Sequence, residues 1–138
     1  MKKITLTTVG ELARGDLLAI VSQLTWPGSE FQSECNSVRN GGSSATPIAL
    51  WHDAGRLRGW VCSHVWQNQQ TLEMFVAPEA RGCGIASALS KCLVAAEIIN
   101  PKKTVAVFAL TTAKIANRIG CVDVLEYAHI QNQWRIAR

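Results

Sequence analysis

The sequence predicts an α/β domain, in the α+β sense of a mixed sheet flanked by helices. Three observations carry that expectation. Short β-rich runs alternate with segments of helical spacing along the whole chain. At 138 residues the chain suits one domain, 1–138, with a single core. Past its middle, an apolar strand empties through glycines into a long amphipathic helix.

The elements follow in order. Residues 3–9 alternate Ile4, Leu6 and Thr8 against Thr5, Thr7 and Val9, a first strand. Residues 11–24 place Leu12, Leu17, Leu18, Ile20, Val21 and Leu24 near helical spacing, and Trp26-Pro27-Gly28 stops that helix. A second short helix is expected over 29–38 with Ser29 as its N-cap, then a flexible loop over 40–44. Residues 47–53 and 57–66 read as strands joined by a tight turn at Ala54-Gly55. A polar link, 67–70, leads to a strand at 72–76. The helix over 84–99 sets Ile85, Leu89, Cys92, Leu93 and Ala96 on one face and ends before Pro101. Residues 105–110 are continuously apolar, as in a strand buried on both faces. A helix over 112–119 stops at Gly120, and strands at 122–130 and 133–137 close the chain around Gln131-Asn132.

The junction Thr71 to Ile99 is the chemically informative part. Amides in the first turn of a helix lack intrahelical partners, and the macrodipole adds positive charge there. Gly82 and Gly84 let the backbone turn sharply without a Cβ in the way. Arg81 adds a permanent cation, so a pyrophosphate fits. A dinucleotide fingerprint would need three glycines early in a βαβ unit and a carboxylate about 20 residues on. The chain has Gly82-x-Gly84 alone, and reads Asn100-Pro101-Lys102-Lys103 where that carboxylate belongs. The Gly-Lys-Ser/Thr of a Walker loop is also missing.

These residues resemble the GNAT superfamily of acyl-CoA-dependent N-acyltransferases, whose loop reads Arg/Gln-x-x-Gly-x-Gly/Ala. The chain supplies Arg81-x-x-Gly84-x-Ala86, preceded by Val76-Ala77-Pro78. Ala113 to Cys121 is similar to the family's second helix, and Pro47 to Trp66 to its central hairpin. The resemblance implies a GNAT-type, mostly antiparallel central sheet and acetyl-CoA as cosubstrate. It implies cofactor contacts from Met74, Phe75 and Val76 on the strand. Further contacts are expected from Arg81, Gly82, Cys83, Gly84, Ile85, Ala86 and Ser87 in the loop and first turn, and from Asn117 in the second helix.

Composition sets outer bounds. Hydrophobic residues at 48% with 17% charged are those of an ordinary globular protein. No uninterrupted apolar run of about 18 residues exists, so no membrane partner is expected. Met1-Lys2-Lys3-Ile4-Thr5 has no apolar h-region behind it, so a cytoplasmic location is expected. Five cysteines with no C-x-x-C pair argue against a disulfide framework and a zinc ribbon, and no metal is expected. Cys62 and Cys92 read as core cysteines. Cys83 in the loop is either a thiol of lowered pKa or a small residue tolerated in a turn. The net charge of +4 suits an anionic cosubstrate, and the scattered basic residues give no stripe for nucleic acid. A monomer or a homodimer is expected.

Acyl transfer needs a held thioester, a neutral amine and a stabilised oxyanion. Glu73, alone in an apolar strand, is the expected base, directly or through water. If 67–70 is a simple four-residue link, Trp66 pairs with Thr71 and His64 falls opposite Glu73, making a His–carboxylate pair. Both residues have bland readings too, a salt-bridged Glu73 and a packed His64. By resemblance a tyrosine is common four residues before the glycine that ends the second helix, where it protonates the leaving thiolate. Here that place holds Ala116, and the one tyrosine is Tyr127. Water or another group then serves, or Tyr127 reaches in, or transfer is slow. Trp26, Phe31, Glu34, Trp51, Trp66 and Trp134 are candidate walls of an acceptor site, and Glu30 and Glu34 would attract a cationic amine. The expected activity is acetyl transfer to a primary amine of a small molecule or protein. The alternatives are a weak or inactive CoA-binding protein and a protein or nucleic-acid interaction role.

Overall fold

The computed structural model describes residues 2–26 and 28–137. In chain order the elements are β1 (Lys2–Thr8), α1 (Arg14–Gln23), α2 (Glu30–Arg39), β2 (Pro47–Asp53), β3 (Arg56–Cys62), β4 (Val65–Trp66), β5 (Gln69–Val76), α3 (Ile85–Ala95), β6 (Val105–Val107), α4 (Leu110–Arg118), β7 (Val124–Ile130) and β8 (Gln133–Ile136). The strands form one sheet in the order β1-β2-β3-β5-β6-β7-β8, with β4 added beside β5. Among the described residues only the β5–β6 and β6–β7 pairings are parallel, so the sheet is mixed and mostly antiparallel.

Alternation along the strands builds the two layers. Ile48, Leu50, Trp60 and Cys62 point to the α1/α2 side and bury Leu17, Ile20, Leu24, Phe31 and Cys35. Ala49, Val61 and Leu72 point the other way, onto Ile85, Leu89 and Leu93 of α3 and Ala113 and Ala116 of α4. A third cluster, Trp66, Ala106 and Tyr127, covers the β6–β7 end with Phe108, Leu125 and Trp134. Gly59 is required where α3 meets β3, because a Cβ there would lie 3.0 Å from Ile85 Cγ2 and 3.2 Å from the Phe75 carbonyl oxygen.

Local chemistry explains most boundaries. Ser29 caps α2 by accepting from the Gln32 amide (3.1 Å). Ala54-Gly55 and Gln131-Asn132 have positive φ at both central positions, the geometry of the hairpin turn that matches strand twist. Gly120 follows α4 in the left-handed region and donates to the Asn117 carbonyl (3.1 Å).

Several expected boundaries are corrected. The first helix starts at Arg14, because residues Val9–Glu11 form a separate 3-10 turn tied to the Ser44 and Thr46 carbonyls. The strand expected over 57–66 breaks at Ser63-His64, where the Thr71 side chain takes over the hydrogen bonds of His64. The long helix ends at Ala95, with Glu97 left-handed and the Ile98 and Ile99 amides folded back on the Leu93 carbonyl. The apolar run at 105–110 is a strand only to Val107, and α4 begins at Leu110.

Register needs the largest correction. Gln67-Asn68 is a two-residue turn with both φ positive, so Trp66 pairs with Gln69 and Val65 with Gln70. Glu73 therefore pairs with Cys62 and not with His64. A shift by two residues preserves the face on which each side chain lies, which keeps Glu73 and His64 on the same side.

Candidate active site

The sheet splits at one place. β5 and β6 are bonded only from Gln70↔Val105 to Leu72↔Val107, and beyond Leu72 strand β5 keeps β3 as its sole neighbour. The Ala77 amide donates to the Arg58 carbonyl (2.8 Å), so Ala77, Phe75 and Glu73 turn their backbone groups to β3. By alternation the backbone groups of Met74 and Val76 turn into the gap. A cavity of ≈ 660 Å³ opens there, floored by residues 72–76 and walled by the glycine turn, the start of α3 and one face of α4.

The glycine turn builds one rim. Pro78–Ala80 form a 3-10 turn that lifts the chain off β5, and Gly82 (φ +81) and Gly84 (φ +79) bring it back into α3. No side chain caps α3, and the first bond inside it runs from the Ala88 amide to the Gly84 carbonyl (3.0 Å). The amides of Ile85, Ala86 and Ser87 thus have no intrahelical acceptor. Ser87 Oγ is buried, unpartnered and part of the cavity wall. Arg81 Nε donates to the Val76 carbonyl (3.0 Å), with its guanidinium 5.8 Å from the Phe75 ring. Lys114 and Arg118 add cations from α4. This end has the free amides and cations that can hold an anion at its rim, and room for a narrow chain along β5.

The opposite end is acidic and dry. Glu73 is 5% exposed and His64 6%, with Glu73 Oε1 3.5 Å from His64 Nε2. Burial pushes the Glu73 carboxyl up to about 7, the Trp26 indole that bonds it pulls the other way, and the charges of Glu30 and Glu34 raise it further. Burial lowers the His64 pKa, against the pull of Glu34 and Glu30. Glu73 Oε2 and His64 Nε2 have no hydrogen-bond partner. A narrow crevice runs on from Glu73 past His64, Glu30 and Trp66, between the α1–α2 loop and the β7–β8 hairpin. Trp134 Nε1 closes it by donating to the Gly28 carbonyl (2.9 Å).

Solved structures share this architecture. A predicted acetyltransferase from Clostridium acetobutylicum, solved with acetyl-CoA, superposes with a TM-score of 0.57 over 89% of this chain and 91% of its own, at 14% identity. An aminoglycoside N-acetyltransferase solved with CoA gives a TM-score of 0.56 over 87% and 88%, at 13% identity. The chain has the GNAT N-acetyltransferase fold. No protein-family model and no curated protein sequence matches it.

Within this GNAT fold the sequence-expected residues divide. Glu73, Met74, Phe75, Val76, Arg81, Gly82, Gly84, Ile85, Ala86 and Ser87 line the cavity together. Cys83 and Asn117 are exposed and lie outside its lining, and His64 lines the crevice instead. Ala116 is fully buried against α3, so its position on α4 does not face the cavity. The Tyr127 hydroxyl accepts from Gln69 Nε2 (3.1 Å), and its ring packs between Trp66 and Phe108. Trp51 belongs to the α3 side, away from the crevice, and Phe31 is buried with its ring stacked 5.8 Å from His64.

Sequence reasoning missed Phe108, Ala109, Thr111, Thr112, Lys114, Ile115 and Arg118 in the wall. The spacing 111, 114, 115, 118 is one helical stripe, and it was the available signal. Among the described residues no group of His, Cys, Asp and Glu could hold a metal, and no helix is long and apolar enough to cross a membrane.

Proposed function

We propose that the protein transfers an acetyl group from acetyl-CoA to a primary amine by direct attack in a ternary complex. The observation that carries this reading is the split between β5 and β6, which joins an anion-holding glycine turn to a buried carboxyl in one cavity. Acetyl-CoA fits the residues present. Its pyrophosphate meets the free amides of Ile85, Ala86 and Ser87 with Arg81 beside them. Its pantetheine arm lies along β5, where the Met74 groups and the Val76 amide stand in for a missing strand.

The chemistry follows from the two ends. A primary amine reaches the protein as an ammonium and must lose a proton before it attacks. Glu73, with a carboxyl pKa of about 7, is ionised in half of the molecules at neutral pH and is basic enough to take that proton. The acidic setting made with Glu30 and Glu34 favours the cationic acceptor. As the amine nitrogen bonds the acetyl carbon, charge grows on the carbonyl oxygen, and an amide at the β5 edge is placed to stabilise it. The carbon–sulfur bond then breaks and releases CoA.

The test is isothermal titration with acetyl-CoA, followed by mass analysis with a panel of amines. Micromolar binding with an acetylated amine supports the reading, and slow thioester hydrolysis alone supports a competent site that lacks its acceptor. Folded protein that does not bind acetyl-CoA overturns it.

A further inference from the structure

Thr71 is fully buried on β5, and its hydroxyl touches three atoms of one residue. It donates to the His64 carbonyl oxygen (2.7 Å), accepts from the His64 amide (3.1 Å) and lies 3.1 Å from His64 Nδ1. A hydroxyl has one proton and two lone pairs. The proton is committed at the shortest of these contacts, and the amide occupies one lone pair. The second lone pair meets Nδ1, so this hydrogen-bond network assigns the ring proton to Nδ1. A neutral imidazole has one N–H, which leaves Nε2 as an acceptor. Nε2 is the atom that faces Glu73 Oε1 at 3.5 Å.

An unpartnered Nε2 facing a carboxylate oxygen inside a protein is costly, and one proton between them removes the cost. We propose that Thr71 is a positioning residue that holds His64 protonated on Nδ1, so that Nε2 and the Glu73 carboxyl share one proton and act together as the proton acceptor of the site. This rests on the acetyl-transfer reading above. In that reaction the ammonium first gives one proton to solvent through Glu73. The neutral amine then attacks, its N–H bond breaks as the new C–N bond forms, and this second proton passes to Glu73 and is shared with Nε2. When the C–S bond breaks, the pair returns the proton to the departing thiolate. Amide and thiol form, and the pair ends as it began.

The groups packed around the pair are consistent with this. Glu30 and Glu34 on α2 both act on Glu73 and His64 and favour keeping a proton there. The Cys35 thiol on α2 and the Cys62 thiol on β3 are pushed up by burial, so they stay neutral and do not compete. Phe31 stacks on the imidazole and excludes water from its face.

The direct test needs no turnover. A long-range 1H–15N spectrum of the labelled protein above pH 7 reports which ring nitrogen of each histidine carries the proton, with His64 assigned from the loss of its signals in His64→Gln. A proton on Nδ1 of His64 is expected, and one on Nε2 overturns the proposal. In the enzyme assay Thr71→Val lowers kcat/KM for the amine by about tenfold or more and moves the acid limb of the pH profile, with KM for acetyl-CoA unchanged. Thr71→Ser restores both. A Val variant with the wild-type profile overturns the positioning role. If the folded wild type does not bind acetyl-CoA, the acetyl-transfer reading fails, and the spectrum alone decides where Thr71 places the proton.

Discussion

Glu73 pairs across the sheet with Cys62, yet the side chain it meets is that of His64, two residues farther along the chain. Diagonal neighbours on one sheet face lie within reach of long side chains, and this pair meets at 3.5 Å beside the break at Ser63-His64. The carboxyl consequently sits under α2 with its back to the core and its edge on the cavity.

In the proposed mechanism, replacing Glu73 with Gln removes the base and leaves the cavity's shape intact. The expected result is a fall in kcat of about 10²-fold with acetyl-CoA affinity unchanged. In the wild type kcat/KM rises with pH through about 7, since the base works only when ionised. That inflection disappears in the variant. A Gln variant that keeps the wild-type profile would remove Glu73 from the chemistry.

The same burial has a sign in stability. The native Glu73 pKa of about 7 stands above its ordinary 4.5, so the folded protein holds this proton more tightly than the unfolded chain does. The stabilisation is fully present below about pH 4.5 and is lost as pH rises through 7, a change of about 3 kcal/mol. Urea unfolding of Glu73→Gln beside wild type at pH 5, 6, 7 and 8 reads it. The variant gains on the wild type step by step across that window, and a constant difference refutes the argument. His64 works in the opposite direction, because its lowered pKa costs stability as pH falls below 6.5.

How much of this was legible depends on which signal each residue carried. The glycine turn was readable because Arg81, Gly82 and Gly84 do local work that few other residues do, and Ser29 announced its helix for the same reason. The Gln67-Asn68 turn was not. The same Gln-Asn pair makes the turn at 131–132, but here Gln69-Gln70 extend it into a polar run, so the link reads as four residues and the register falls two residues off. Phe108 to Leu110 read as strand since apolar runs serve either structure, and only the loss of pairing beyond Val107 separates them. The α4 spacing marks one helix face, but that this face is a cavity wall depends on the split between β5 and β6, which no local signal gives.

Gly84 has open space where a Cβ would go, so its requirement is conformational. Gly84→Ala costs about 1 kcal/mol through its φ of +79 and weakens acetyl-CoA binding modestly. Gly84→Asp adds a negative charge at the free amides and abolishes binding. Calorimetry on both variants separates strain from charge, and unchanged affinity in the aspartate variant excludes the turn from the site.

Lys114 and Arg118 have no counterpart in the sequence-derived site, and their contribution is open to direct measurement. Lys114→Ala and Arg118→Ala are each expected to weaken acetyl-CoA binding several-fold at low salt, and less at 0.5 M salt, where exposed charges are screened. A loss that does not depend on salt would assign them to packing.

Gly28 holds the crevice shut from the other side. A Cβ there would lie 2.7 Å from Cδ2 and Nε2 of His129, in a residue already at φ +75. Gly28→Ala therefore displaces the His129 ring and crowds Trp134 Nε1, straining the Trp134 bond. The expected outcome is a change in KM for the amine with acetyl-CoA affinity unchanged. An altered acetyl-CoA affinity with no effect on the amine would reverse the assignment of the two ends.

The three rungs from Gln70 to Leu72 are all that stitch β1–β5 to β6–β8 through the sheet. They form a seam, and the gap beyond them is a wedge with its point at Leu72. A long molecule seated in that wedge works as a splint, tying both flaps at once. With acetyl-CoA bound there as proposed, the protein's resistance to coming apart along this line rises with the concentration of that molecule.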